Sequence, residues 1–354
     1  MDIRQQVLDT PRALRETLEK GRPEYEALVR RVRWGDGPIF IVGSGASFLS
    51  ALTGVYAFES LLGWPVMARP ALEFQAYSAS VMRLRSVFLA VSNSGETRET
   101  LDAAGAARAR DAQVLALTNN PASALAAAAD FVFLLRAGEA SKPGLQTVLA
   151  QQAALGFLAL VAARVLKRHH RQLDVLEEEF TKLPATVELI RTQLADATNA
   201  LARELKSVAH LWIVGGGFYH PVALHGARLL RKFAGMQADG VDAAGAGNDF
   251  SYPGGEGSAV LFLSGSACRV KKETHARAQQ AKKAGVKVLA VTDANDRELA
   301  NASTLTLMLP SSTEMVGSTL ALALLELVAY PLVHNSRSRP EERGVAADDG
   351  HRPA

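Results

Sequence analysis

The sequence predicts an α/β protein made of two tandem copies of one parallel-sheet unit. Three observations carry this. Short apolar runs alternate with alanine-rich amphipathic segments, the pattern of strands joined by covering helices. Several of these runs end in small glycine- and serine-bearing turns that lead straight into a helix. The whole pattern then occurs a second time. Trp212-Ile-Val-Gly215 repeats Phe40-Ile-Val-Gly43, and Ser258–Ser266 repeats Ser86–Ser94, both at an offset of 172. Leu289–Thr292 repeats Leu115–Thr118, and Leu305–Leu309 repeats Phe131–Leu135, both at an offset of 174. Four landmarks in nearly one register mark an internal duplication.

Taken in order, residues 1–35 read as a helical segment, with Leu8, Leu14, Leu18, Tyr25, Leu28 and Val29 set among charges. The cluster Trp34-Gly-Asp-Gly-Pro38 is a turn. The first unit, 36–168, opens with strand Ile39–Val42, the turn Gly43-Ser-Gly-Ala-Ser47 and an apolar helix ending near Leu62. A strand at Pro65–Met67 and a short helix at Ala71–Tyr77 follow. Next come the strand Val87–Val91, the turn Ser92-Asn-Ser-Gly-Glu-Thr97 and a helix over Leu101–Arg110. Strand Val114–Leu117, a small helix at Ala124–Ala129, strand Phe131–Leu135 and a long alanine-leucine helix to about Arg168 complete it. Residues 169–207 are charged and helical and form a connector. The second unit spans 208–335, and a polar tail occupies 336–354.

Bulk composition bounds the function. A chain of 354 residues is too long for one ordinary core. Its 48% hydrophobic and 21% charged content is that of a globular protein. The net charge of +3 is spread among acids, with no basic stripe interleaved with aromatics, so nucleic-acid binding is not expected. The single cysteine, Cys268, excludes an internal disulfide and a cysteine-based metal cluster, and suits a reducing cytoplasm. It reads as a small buried residue. The N-terminus carries charge where a secretory signal is apolar. The apolar segment Leu320–Val333 is shorter than the ~20 residues of a membrane span and contains Glu326 and Pro331, so it reads as a core helix. No membrane partner, metal or cofactor is expected. Gly43, Gly45 and Gly215–Gly217 follow strands, but neither copy completes Gly-x-Gly-x-x-Gly, so a dinucleotide is a weak fit.

The turn Ser92–Thr97 is the centre of the functional reading. The first N–H groups of a helix lack partners and sit at the positive end of its dipole. Small residues let a phosphate approach them, and Ser92, Ser94 and Thr97 add hydroxyls. An ordinary strand-to-helix connection with a serine cap has the same appearance. The second copy reads Ser264-Gly-Ser-Ala-Cys-Arg269, without the glycine and threonine, so a single surviving phosphate turn is expected to be the first.

Two α/β units with Gly43-Ser-Gly-Ala-Ser47 and Ser92-Asn-Ser-Gly-Glu-Thr97 resemble the tandem sugar isomerase (SIS) domains over about residues 36–335. The likeness is to the isomerase half of glucosamine-6-phosphate synthase and to stand-alone phosphosugar isomerases, amino-sugar-phosphate deaminases and deglycases. It implies flavodoxin-like, three-layer αβα domains. It also implies a phosphosugar site on Gly45, Ala46, Ser47, Ser92, Asn93, Ser94, Gly95 and Thr97. The segment Lys142–Thr147 stands where the family has a substrate-contacting loop, which brings in Gln146 and Thr147. Gly215–Lys232 resembles the family stretch that carries the proton-moving glutamate, but Lys232 stands at that glutamate, His225 at an earlier one and Leu229 at a lysine. Asp249-Phe-Ser-Tyr-Pro253 stands at the family's ring-opening histidine motif, with Tyr252 at the histidine. No counterpart of the C-terminal lysine is found near Val345.

An enediol route needs a base near C1 and C2 and a group that polarises the carbonyl. Asp249 is the favoured base and His225 the next, with Tyr252, Lys232 and Glu139 as further candidates; His220, Asp239 and Asp242 are also near. The expected function is a metal-independent phosphosugar isomerase or amino-sugar-6-phosphate deaminase or deglycase. The alternative is a sugar-phosphate sensor that has lost catalysis. With Asp2 at position 2 and no glutaminase segment ahead of the first unit, this sequence is not expected to make glucosamine phosphate from glutamine by itself. The resemblance further implies a cytoplasmic homodimer with sites near the subunit interface.

Overall fold

A computed structural model of the chain describes residues 3–34, 37–82, 86–138, 144–248 and 257–336. At the N-terminus, α1 (Ile3–Arg15) leads through a π-helical turn into α2 (Arg22–Val29). Tyr25 of α2 is fully buried, and its hydroxyl donates to the Leu134 carbonyl at 3.2 Å, which ties this segment to the first unit.

The first unit contains β1 (Ile39–Gly43), α3 (Ala46–Leu62), β2 (Val66–Pro70), a short helical stretch over 71–81 and β3 (Val87–Ser92). It continues with α4 (Arg98–Arg108), β4 (Gln113–Thr118), α5 (Ala124–Ala128), β5 (Phe131–Leu134) and α6 (Leu145–Val165). The predicted connector is α7 (Leu173–Gln193) followed by α8 (Ala195–Leu205). The second unit runs β6 (His210–Gly215), α9 (Tyr219–Leu229), β7 (Ala238–Asp242), β8 (Ser258–Leu263), α10 (Lys271–Lys283), β9 (Lys287–Asp293), α11 (Arg297–Ala302), β10 (Leu305–Leu309) and α12 (Glu314–Ser336).

Each unit is a five-stranded sheet with every pair parallel. The strand orders, β2-β1-β3-β4-β5 and β7-β6-β8-β9-β10, are the same. So is the register: Gly43 pairs with Val91, and 172 residues later Gly215 pairs with Leu263. Both the order and the register are consistent with duplication. The sequence reading did not name β7. This edge strand, Ala238-Asp-Gly-Val-Asp242, is too polar to stand out as a buried run.

One apolar core runs through both units, with Leu89 and Leu155 of the first joined to Leu261 and Leu325 of the second. Two long apolar helices, α6 and α12, could cross a membrane by length and composition but are largely buried in this shared core. Smaller clusters fill the far faces of the sheets, around Phe40, Phe74 and Phe88 in one unit and Val214, Val260 and Phe262 in the other. With this strand order, the connections leaving β1 and β3 turn to opposite faces. A crevice therefore opens at the carboxyl ends of those two strands, where ligands bind in open α/β sheets.

Candidate active site

The turn after β3 is built by its own side chains. Ser92 Oγ accepts from the Gly95 N–H at 3.1 Å and lies 3.4 Å from Thr97 Oγ1, while Ser94 Oγ accepts from the Glu96 N–H at 3.2 Å. The Glu96 carboxylate accepts from the Ala124 N–H at 3.0 Å, so the acidic residue of the turn caps α5 and stays out of the crevice. Gly95 has φ +69°, and a Cβ there would overlap the Ser123 side chain. No side chain caps α4 at Thr97, which leaves the first-turn N–H groups of that helix open to a ligand.

A cavity of about 460 Å³ opens over this turn. That volume lies in the range of small-molecule sites. Gly45, Ala46 and Ser47 after β1 and Ser92, Asn93, Ser94 and Thr97 after β3 form one wall. The opposite wall comes from the second unit: His225 and Arg228 of α9, then Lys232 on the π-helical turn Leu230–Ala234 that continues it. The Arg228 guanidinium sits against Gly45, which has φ +57°, with Nη2 3.5 Å from where a Cβ would be. Two cationic side chains therefore line the same cavity as this hydroxyl-rich turn. The cavity is shared between the duplicated units.

His225 is buried, and its Nε2 lies 3.3 Å from Ser50 Oγ. Ser50 donates to Gln151 Oε1 at 3.4 Å, and Gln151 Nε2 donates to Ser47 Oγ at 3.2 Å, which links the histidine to Ser47. Burial, with Arg228 adding to it, pushes the His225 pKa down to about 3. The imidazole is therefore neutral at physiological pH and acts as a hydrogen-bonding group. A further acid reaches the cavity from α12: Glu326, 2% exposed, with its pKa raised well above the ordinary carboxylate value by burial.

The remaining candidates divide by position. Gln146 and Thr147 are buried and do not border the cavity, whereas Leu145 and Val148, one turn apart on the same helix, do. Gly95 shapes the turn without lining the cavity. Asp239 is held by Arg231 at 2.8 Å and by His210 at 3.1 Å. Asp242 accepts from the N–H groups of Ala244 and Gly245 at 2.9 and 2.8 Å. His220 stands outside the lining, half-buried, with its pKa lowered by burial. Asp249, Tyr252 and Glu139 lie outside the described residues. Sequence reasoning passed over Arg228 and Glu326. Arg228 is one helical turn before the singled-out Lys232, while Glu326 looked like an interruption of a core helix.

The second-copy turn is filled from within. Asp293 Oδ2 accepts from the Ser266 N–H at 2.6 Å and from the Ser266 hydroxyl at 3.0 Å, and Oδ1 accepts from the Asn295 N–H at 2.9 Å. Glu314 accepts from the Arg269 N–H at 3.3 Å. A carboxylate thus occupies the turn of the second copy. The residue 174 positions before Asp293 is Asn119, whose amide is turned away to Gly138 O (2.8 Å) and the Ala137 N–H (2.8 Å). A neutral amide pointing elsewhere leaves the first turn free. Cys268, beside the second turn, is 3% exposed, and burial pushes its thiol up to about 12.

Comparison with known proteins agrees with the two-unit fold. The SIS domain family model matches residues 36–161 and 204–331. The isomerizing glutamine–fructose-6-phosphate aminotransferase of Thermococcus kodakarensis is 27% identical over 329 residues, covering 92% of this chain and 54% of that protein. The chain thus spans about half the length of the curated relatives it matches first. Among solved structures, the C-terminal domain of glucosamine-fructose-6-phosphate aminotransferase from Francisella tularensis superposes with a TM-score of 0.84 at 20% identity, covering 94% of this chain and 95% of that one. Tagatose-6-phosphate ketose/aldose isomerase from Escherichia coli gives 0.78 at 16% identity, covering 95% and 92%. These structural likenesses speak to the fold.

Proposed function

Because this chain belongs to the SIS domain family, we propose that it binds a 6-phosphorylated sugar or amino sugar between its two units and moves a proton between C1 and C2. The phosphate is received by Ser92, Ser94, Thr97 and the first turn of α4. The reacting end of the sugar lies toward Ser47, His225 and Lys232. One observation carries the reading: a hydroxyl-rich helix N-terminus opens into a cavity whose far wall presents Arg228 and Lys232. A phosphate ester matches that charge and those donors. Neutral His225 is suited to hydrogen bonding a sugar hydroxyl or carbonyl. The reaction class is ketose–aldose isomerisation, or deamination or deglycation of the 2-amino or 1-amino sugar phosphate. The reading includes a cytoplasmic homodimer.

Turnover distinguishes these reactions from a sensing role. Proton NMR of the protein with fructose 6-phosphate, glucose 6-phosphate and glucosamine 6-phosphate, together with an ammonia assay on the last, should show interconversion or nitrogen release. Saturable binding of these compounds with no conversion under any condition would leave the sensor alternative standing.

A further inference from the structure

A carboxyl in the middle of an apolar helix is costly to bury, and the cost is offset only by good partners. Glu326 has none among the described residues: no ion pair is formed, and Oε1 lacks a hydrogen-bond partner. Its neighbours on α12, Leu324, Leu325 and Val328, are all buried core. On one side the residue borders the sugar-phosphate cavity, whose lining also includes His225, Arg228 and Lys232 of the second unit. On the other it borders a small space lined by Val7, Thr10, Val187 and Arg191. Arg191 is engaged by Glu188, with Nε 3.0 Å from Oε2. The described structure gives Glu326 no packing role that a leucine would not fill better.

We infer that Glu326 is the proton-transferring carboxyl of this cavity. The inference rests on the phosphosugar reading above. With a 6-phosphorylated ketose on the first turn, the Glu326 carboxylate takes a proton from C1. The C–H electron pair becomes the C1–C2 double bond, and the C2 carbonyl pair moves to O2, which takes a proton from the Lys232 ammonium. Glu326 then returns its proton to C2 while the O1 hydroxyl proton goes back to Lys232 and the C1 carbonyl forms. Atoms and charges return to their starting state, so no co-reactant is needed. Burial raises its pKa above the ordinary carboxylate value, which favours the protonated form at rest. The rate should therefore rise with pH through a value above the ordinary carboxylate range.

The test is deuterium incorporation at C1 or C2 of fructose 6-phosphate, glucose 6-phosphate and glucosamine 6-phosphate in D2O. Thermal unfolding with the same compounds is measured in parallel. Wild type should incorporate deuterium at a rate that climbs with pH. Glu326→Gln should lose about 10²-fold or more of that rate, the usual contribution of a positioned acid–base group, while keeping the ligand-induced melting shift. Glu326→Asp should restore part of the rate. Exchange in Glu326→Gln within threefold of wild type overturns the assignment, as does wild-type binding without exchange. If Glu326→Gln does not fold, a flat wild-type pH profile overturns it instead. Neither binding nor exchange in wild type with any probe brings down the phosphosugar reading itself.

Discussion

Gly95 decides more of the turn after β3 than the hydroxyls around it. Its positive φ and the Ser123 side chain beneath it leave no room for a Cβ. Gly95→Ala should lower stability by about 1–3 kcal/mol, from a strained left-handed residue and a displaced Ser123. Chemical denaturation would read this as a lower midpoint at unchanged slope. The residue scale also shows what was legible in the sequence. Ser92, Ser94 and Thr97 could be read because their chemistry is local, lying within six consecutive residues after a strand. Gln146 and Thr147 were singled out on a loop resemblance, but the segment is the start of α6. Helical phase there turns Leu145 and Val148 toward the cavity and the two polar residues elsewhere. Glu326 lies more than 220 residues beyond the turn it faces. Only tertiary packing brings the two together, and no local pattern marks it.

At the scale of elements, the two copies were separable by sequence because their strands kept nearly one register. The divergence of their turns became physical only with Asp293 in place. The helices of the second unit also carry a charge clamp with no sequence signature. His275 of α10 lies 2.8 Å from Asp296 and 3.0 Å from Glu298, joining α10 to α11. The hydrogen bond to Asp296 leads in raising the histidine's pKa above its ordinary value. A raised folded-state pKa stabilises fully below the unfolded value of ~6.5, and the gain is lost as pH rises through the folded value. His275→Gln should therefore lower the melting temperature more at pH 5.5 than at pH 9. An equal loss at both pH values would show that the imidazolium contributes nothing beyond packing. The edge strand β7 was missed for a related reason: its aspartates are held by Arg231, His210 and backbone donors that the sequence alone does not pair.

At the scale of the molecule, the cavity is lined from both units. Each sheet offers a crevice at its carboxyl edge, and the second has filled its own with Asp293 and Glu314. What the second unit contributes instead is the opposite wall of the first unit's cavity, with Arg228, Lys232 and His225 on α9 and its continuation. The long apolar helices α6 and α12, which alone would suit a membrane, are the shared core that fixes the two units face to face. A ligand bound in such a cavity would touch both units at once and stabilise the whole chain.

That linkage gives the most direct test. Thermal unfolding would be followed with fructose, glucose and glucosamine 6-phosphates, each against its unphosphorylated sugar, in wild type, Ser94→Ala and Arg228→Ala. A ligand at 100 times its dissociation constant stabilises the folded state by about 2.7 kcal/mol. The account predicts a single raised transition with at least one 6-phosphate, none with the free sugars, and loss of most of the shift in both variants. A shift that survives both substitutions, or no shift with any 6-phosphate, would contradict a phosphate site on the first turn facing the second unit.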